Sequence, residues 1–155
     1  KEIVSGVSYS KNEAKVTLSG IPDKPGISAK IFSLMTENNI NVDMIVQNIS
    51  QDGISANLTF TISKKDFDLT KSVIEKNHNS LKYKSLSLDK NVAKISVIGM
   101  GMMSQAGVAE KMFKTLAKNK INILAISTSE IKISVLIEEK HTNIAVKSLH
   151  EAYNL

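Results

Sequence analysis

Apolar positions recur along this chain with two alternating periods. Residues 14–20, 42–49 and 54–62 alternate apolar with polar or run β-branched, as half-buried strands do, whereas 25–38 and 66–78 place apolar residues at helical spacing. Ile27, Ile31, Leu34 and Met35 form one such stripe, so the first helix has a single face to bury. Asp66 is positioned to cap the second helix, and Asp52-Gly53 reads as the turn between the two central strands. The run "LKYKSLSL", Leu81 to Leu88, alternates as one more strand. The resulting order, β-α-β-β-α-β, is that of the ferredoxin-like plait, an α+β fold with both helices on one face of an antiparallel sheet.

The pattern then repeats. "SYSKNEAKVTLSG" (Ser8 to Gly20) aligns with "SLDKNVAKISVIG" (Ser87 to Gly99), and "PGISAKIFSLMTENNINVDMI" (Pro25 to Ile45) with "AGVAEKMFKTLAKNKINILAI" (Ala106 to Ile126). The second copy supplies strands at 92–99, 122–129 and 131–137 and helices at 107–119 and 142–153, but no last strand before Leu155. The run "EIVSGVSYS" precedes the first copy just as "YKSLSLDK" precedes the second. Residues 2–9 are therefore expected to complete the second sheet and close its open edge. This predicts a first domain over 10–89 inserted in a second made of 1–9 plus 90–155.

Composition narrows the chemistry. The net charge is +5, but all 20 basic residues are Lys, and they are scattered. Arg is the usual bidentate reader of phosphate and guanine, so the charge of this Arg-free chain reads as a solvated surface rather than a nucleic-acid patch. The chain has no Cys, which removes disulfides and thiolate metal sites. No apolar run is long enough to span a membrane and no secretory leader pattern is present, so a cytoplasmic location is expected.

The stretch "VIGMGMMSQAGVAEKMF", Val97 to Phe113, looks at first like a dinucleotide loop. Gly99 and Gly101 fit G-x-G-x-x-G, but Ser104 stands in the third place. Two strands then follow almost directly in "STSEIKISVLI", which a parallel crossover does not permit. The corresponding loop of the first copy, "SGIPDKPGISAKIF", has no G-x-G. Both copies keep a glycine at the opening of the first helix, Gly26 and Gly107, where free backbone N–H groups and the helix dipole suit a small carboxylate. Gly99 and Gly101 read instead as local turn residues.

The runs "DKPGISAKIF", "INVDMIVQN", "DGISANLTFTI", "AKISVIGMGM", "INILAISTSEIKISVLI" and "SLHEAYNL" resemble the tandem ACT domains at the C-terminus of aspartate kinases, over essentially the whole chain. The resemblance implies a regulatory region that binds an end-product amino acid, L-threonine or L-lysine, and inhibits the kinase to which it belongs. It also implies pairing of ACT domains in a homodimer and association with a catalytic domain or subunit. The family's catalytic segment, together with its ATP and Mg, is absent from these 155 residues, so no catalytic residue and no cofactor are assigned.

A free amino acid presents a carboxylate, an ammonium and a side chain, and the resemblance directs it to the loop and strand of the first copy. There the backbone at Gly26 and Ile27 is a candidate donor to the carboxylate. Asp23, Asn41 and Asp43 offer oxygens to the ammonium, and Gln47 and Asn48 offer groups to the side chain. The matching positions of the second copy are Gly107, Val108, Asn122, Ile123, Thr128, Ser129 and Glu130, although Gln105-Ala106 stands where the family commonly has His-Pro. Each candidate also has a plain structural reading. Asp23 and Asp43 are equally at home in a turn and at a strand edge, Asn41 and Asn122 at a helix C-terminus, and Glu130 in a surface pair with Lys132. His78, His141 and His150 read as structural, and the Met residues, Met102 and Met103 included, as core or interface filler.

Two other functions share this element order. A purely structural dimerisation module needs no ligand. An RNA-binding plait of the RRM type stacks bases on aromatics of its central strands, yet "ISANLTFTI" offers Phe60 alone and the chain has no Trp.

Overall fold

The computed structural model describes residues 4–99 and 105–155. Its elements run β1 (Gly6–Pro22), α1 (Ile27–Glu37), β2 (Val42–Ile49), β3 (Ser55–Ile62), α2 (Phe67–Lys76), a helical turn α3 (His78–Leu81), β4 (Ser85–Ile98), α4 (Gln105–Lys118), β5 (Ala125–Thr128), β6 (Lys132–Glu138) and α5 (Thr142–Ala152). The backbone divides into two compact units: a continuous one, Asn12–Lys90, and a split one, in which residues up to Lys11 join Asn91–Leu155. The long strands β1 and β4 each give part of their length to either unit.

In the continuous unit the strand order is β2-β3-β1-β4. Register sets Val16, Phe60 and Ile45 in one row and Leu18, Leu58 and Gln47 in the next. Directly paired residues point to the same side of a sheet, so each row has one face. Val16, Leu18, Leu58 and Phe60 are completely buried, which makes theirs the core face, and Ile27, Ile31 and Met35 of α1 with Val73 and Ile74 of α2 close over it. Each large side chain so withdrawn from water contributes roughly 1.5–3 kcal/mol. The rings of Phe32 and Phe60 meet edge to face with centroids 5.5 Å apart.

The split unit repeats this arrangement with β6 between β4 and β5. Ala93, Ile95 and Val97 meet Ile133, Val135 and Ile137 beneath Val108, Met112 and Leu116 of α4 and Ala145 and Leu149 of α5. The N-terminal segment lies beside β4: the Ser5 N–H donates to the Ile98 carbonyl at 2.7 Å, and Val4 and Val7 pack against this core. On the face away from the helices the two units also match, with hydroxyl pairs Thr17–Thr59 at 3.0 Å and Ser96–Ser134 at 2.7 Å.

Several expectations are corrected. The alternation of Leu81 to Leu88 is not one strand. Leu81 ends α3, Lys82 turns the chain at φ 57, and β4 starts at Ser85. Leu81 and Tyr83 are buried because they seal the end of the helix, not because they alternate across a sheet. The strand expected over 122–129 shrinks to Ala125–Thr128, since Ile121 is still tied back to the Leu116 carbonyl. Asp66 precedes α2 but makes no capping bond with its side chain, because it closes a one-turn 3-10 segment, Lys64–Asp66, rather than an extended approach. The Asp52-Gly53 turn forms with Gly53 at φ 72. Gly101, Met102, Met103 and Ser104 lie outside the described residues; Gly99 donates its N–H to the Ile131 carbonyl at 2.8 Å. No helix among the described residues is long and apolar enough to cross a membrane.

Candidate functional site

The mouth of α1 is shaped by one glycine. Gly26 sits at φ 96, a left-handed conformation that L side chains adopt only with strain, and directly precedes the helix. The first helical donor is the Lys30 N–H, which bonds the Gly26 carbonyl at 3.0 Å. The N–H groups of Ile27, Ser28 and Ala29 therefore precede the ladder and point outward with the positive end of the dipole. The Ile27 side chain is turned into the core at 4% exposure, so what it offers a ligand is backbone. Asp23, exposed, is fastened to the same end of the sheet by its N–H to the Ile54 carbonyl at 3.1 Å.

Register decides which β2 residues share that end and face. Gln47 pairs with Leu58 and so projects from the helix-bearing face of the edge strand, while Asn48 pairs with Asn57 and projects from the opposite one. Asn41 and Asp43 belong to the far end. They follow the C-terminus of α1, whose 11 residues span about 16 Å from Gly26. Asp43 stands in an irregularity of register between Val42 and Ile45, where the Met44 N–H is satisfied by the buried Thr61 hydroxyl at 2.9 Å. Asn41 does not cap α1 either, because Asn38 already donates its side-chain amide to the Leu34 carbonyl. Of the first-copy candidates, then, Asp23, Gly26 and Ile27 stand at one end of the sheet and Gln47 projects from the helix-bearing face toward the same end, whereas Asn41 and Asp43 lie at the far end and Asn48 on the opposite face.

Ile49, two residues beyond Gln47 on the same face, is 66% exposed at this end of the sheet, and Ile45 on the other side of Gln47 is 53% exposed. Sequence reasoning passed over both, although the period-2 spacing of Ile45, Gln47 and Ile49 was the available signal. A hollow of about 350 Å³ reaches Gly26, but it runs along the outer side of α1 toward Asn77 and Leu81 and shares no other candidate residue.

The second copy is built differently at the equivalent place. Gly107 lies inside the first turn of α4, which starts at Gln105, and Gly107 is not among the residues with positive φ. Val108 is core at 1% exposure. The Gln105 side-chain amide donates to the Ser129 carbonyl, joining the helix start to the β5–β6 turn, and that turn is closed further by the Ser129 N–H to the Lys132 carbonyl at 2.9 Å. Thr128 projects from the helix-bearing face opposite Ile133, and Glu130 is exposed in the turn. Asn122 and Ile123 are at the far end, past the C-terminus of α4, where Ile123 packs on the core and Asn119 does the capping. Phe60 is fully buried, with its ring edge to face against Phe32, so the aromatic of β3 is not available to stack on a base.

Comparison with known proteins agrees with the two-copy fold. The ACT domain family model matches residues 16–77 and 95–153. An aspartokinase of Helicobacter pylori is 49% identical over 153 residues, which are 99% of this chain and 37% of the length of that protein. The chain therefore spans well under half of the curated relatives it matches. Two solved structures are similar almost end to end. One is described as aspartokinase alpha and beta subunits, at TM-score 0.91 and 42% identity over 98% of this chain and 99% of the other. The second is the ligand-free regulatory subunit of aspartate kinase from Thermus thermophilus, at TM-score 0.90 and 34% identity with the same coverage. The chain belongs to the ACT domain family, and the part of that family it corresponds to is the regulatory region of the aspartate kinases.

Proposed function

We propose that this chain confers feedback inhibition on an aspartate kinase by binding free L-lysine, L-threonine or both at the mouth of α1 in the continuous unit. The observation that carries the reading is Gly26 at φ 96, which holds the Ile27 and Ser28 N–H groups outside the helical ladder at the end of the sheet that also bears Asp23 and Gln47. The N–H groups receive the effector carboxylate, the Asp23 carboxylate its ammonium, and Gln47 the far end of its side chain. The kinase activity itself, with its ATP and Mg, resides in the catalytic domain or subunit outside these residues.

Edge strand β2 bears Ile45 and Ile49, and β5 bears Ile126 at 42% exposure, on the faces that also carry the helices. A second copy of the chain placed alongside would cover them, and an effector held at such a junction favours one arrangement of the pair over another. Inhibition then draws on a coupling free energy of roughly 1–3 kcal/mol. Calorimetric titration with lysine, with threonine and with the two together is the direct test. Saturable heat with any of them is the expected result. No response to these or to other free amino acids would leave a ligand-independent dimerisation module as the better reading.

A further inference from the structure

Helices α1 and α4 are the same element in two copies, since Val108, Met112 and Leu116 are buried where Ile27, Ile31 and Met35 are buried. Their outward positions have diverged. Lys111, Lys114 and Lys118 stand where the continuous unit has Lys30, Ser33 and Glu37, so a trio of cations replaces a set with no net charge. Spaced i, i+3 and i+7, the three form one stripe. That stripe lines a groove of about 670 Å³ between α4 and α5, within the split unit, against about 350 Å³ for the hollow beside α1.

The stripe is partly set in place. The Lys111 ammonium lies 5.6 Å from the centroid of the Tyr153 ring, and the Tyr153 hydroxyl is in turn anchored by donating to the Val108 carbonyl at 2.5 Å. Lys114 reaches Glu110 at 3.2 Å, but the two side chains are 76% and 66% exposed, so a competing carboxylate displaces this pair at little cost.

We propose that the α4–α5 groove docks an acidic stretch of a partner polypeptide, a role separate from the amino-acid site. Lysine ammonium groups act as point charges, so three of them spaced along one helix can each meet a separate carboxylate of an extended acidic segment. Glu110 and Glu151 also line the groove, so an occupant must bring its carboxylates to the lysines and clear of these two side chains. Tyr153 is only 8% exposed and cannot stack on a base.

The test is fluorescence anisotropy of a labelled oligoglutamate peptide titrated with the 155-residue chain at low and high salt, beside a single-stranded oligodeoxynucleotide of equal charge. Saturable peptide binding that weakens with salt is expected. The double variant Lys114→Glu with Lys118→Glu should weaken it about tenfold or more, while Lys30→Glu in α1 leaves it within about twofold. In the unsubstituted chain, peptide-induced amide shifts in an NMR titration should gather on α4 and α5, a readout independent of how the variants fold. Absence of saturable binding, equal loss in the Lys30 variant, shifts centred elsewhere, or tighter binding of the oligonucleotide would each overturn the proposal.

Discussion

Asn38 and Asn119 make the same bond in the two copies: each donates its side-chain amide to the carbonyl four residues earlier, Leu34 or Thr115, at 2.8 Å. The residue after each is left-handed, Asn39 at φ 56 and Lys120 at φ 58, and the next N–H, of Ile40 or Ile121, returns to Met35 or Leu116. These bonds satisfy carbonyls that the ends of α1 and α4 leave open. Asn38→Ala and Asn119→Ala should each lower unfolding free energy by about 1 kcal/mol. Because the two residues share no partner, the double variant in urea melts should show the sum of the single losses.

The two helix-opening glycines should respond oppositely to the same substitution. A Cβ at Gly26 meets nothing within 4 Å, so Gly26→Ala costs only the backbone strain of positive φ, roughly 1–2 kcal/mol. Gly107 lies in the first turn of α4 without positive φ, and Gly107→Ala should stabilise by roughly 0.5–1 kcal/mol. Thermal unfolding of both variants checks the contrast.

Effector affinity should depend on the register of β2. Asp23→Ala and Gln47→Ala are each expected to weaken lysine or threonine binding about tenfold, the loss of one charge-assisted or one well-placed hydrogen bond. Asn48→Ala, on the opposite face, should bind unchanged. Full affinity retained in both of the first two variants would move the site away from the α1 mouth.

Acid should weaken the β2–β3 hairpin through Asp52. The Asp52 carboxylate accepts hydrogen bonds from the Ile54 N–H at 3.0 Å and from the Ser55 N–H and hydroxyl, which hold it below the usual carboxylate range, the Ile54 bond foremost. A pKa lower in the folded state than in the unfolded one means that the contribution is fully present above the ordinary carboxylate range. It is lost as pH falls through the depressed value. Comparing melts at about pH 6 and about pH 3, Asp52→Asn should be less pH-sensitive than the unsubstituted chain.

Much of the fold was legible because each buried stripe is written twice. Ile27, Ile31 and Met35 recur as Val108, Met112 and Leu116, and a helix that buries the same face in two contexts leaves little ambiguity of period. What was not legible turned on single backbone angles and single slips of register. Lys82 at φ 57 converts an apparently alternating run into a helix end followed by a strand. The irregularity between Val42 and Ile45 sets which β2 side chains face the helices, so Gln47 projects from the helix-bearing face while its neighbour Asn48 does not. Asn41 and Asn122 invited a capping role by their position after a helix. The chain assigns that role three residues earlier, where a side-chain amide can fold back along the helix axis.

The division of β1 between Lys11 and Asn12, and of β4 between Lys90 and Asn91, has a consequence for synthesis on the ribosome. The stretch Asn12–Lys90 is contiguous and can fold as soon as Lys90 clears the exit tunnel, but the segment before it must wait, with Val4 and Val7 bare, until Ala93, Ile95 and the strands after them have been translated. For that interval the continuous unit is finished while the first strand of the split unit stands orphaned, and a chaperone or a second nascent copy has its opening there.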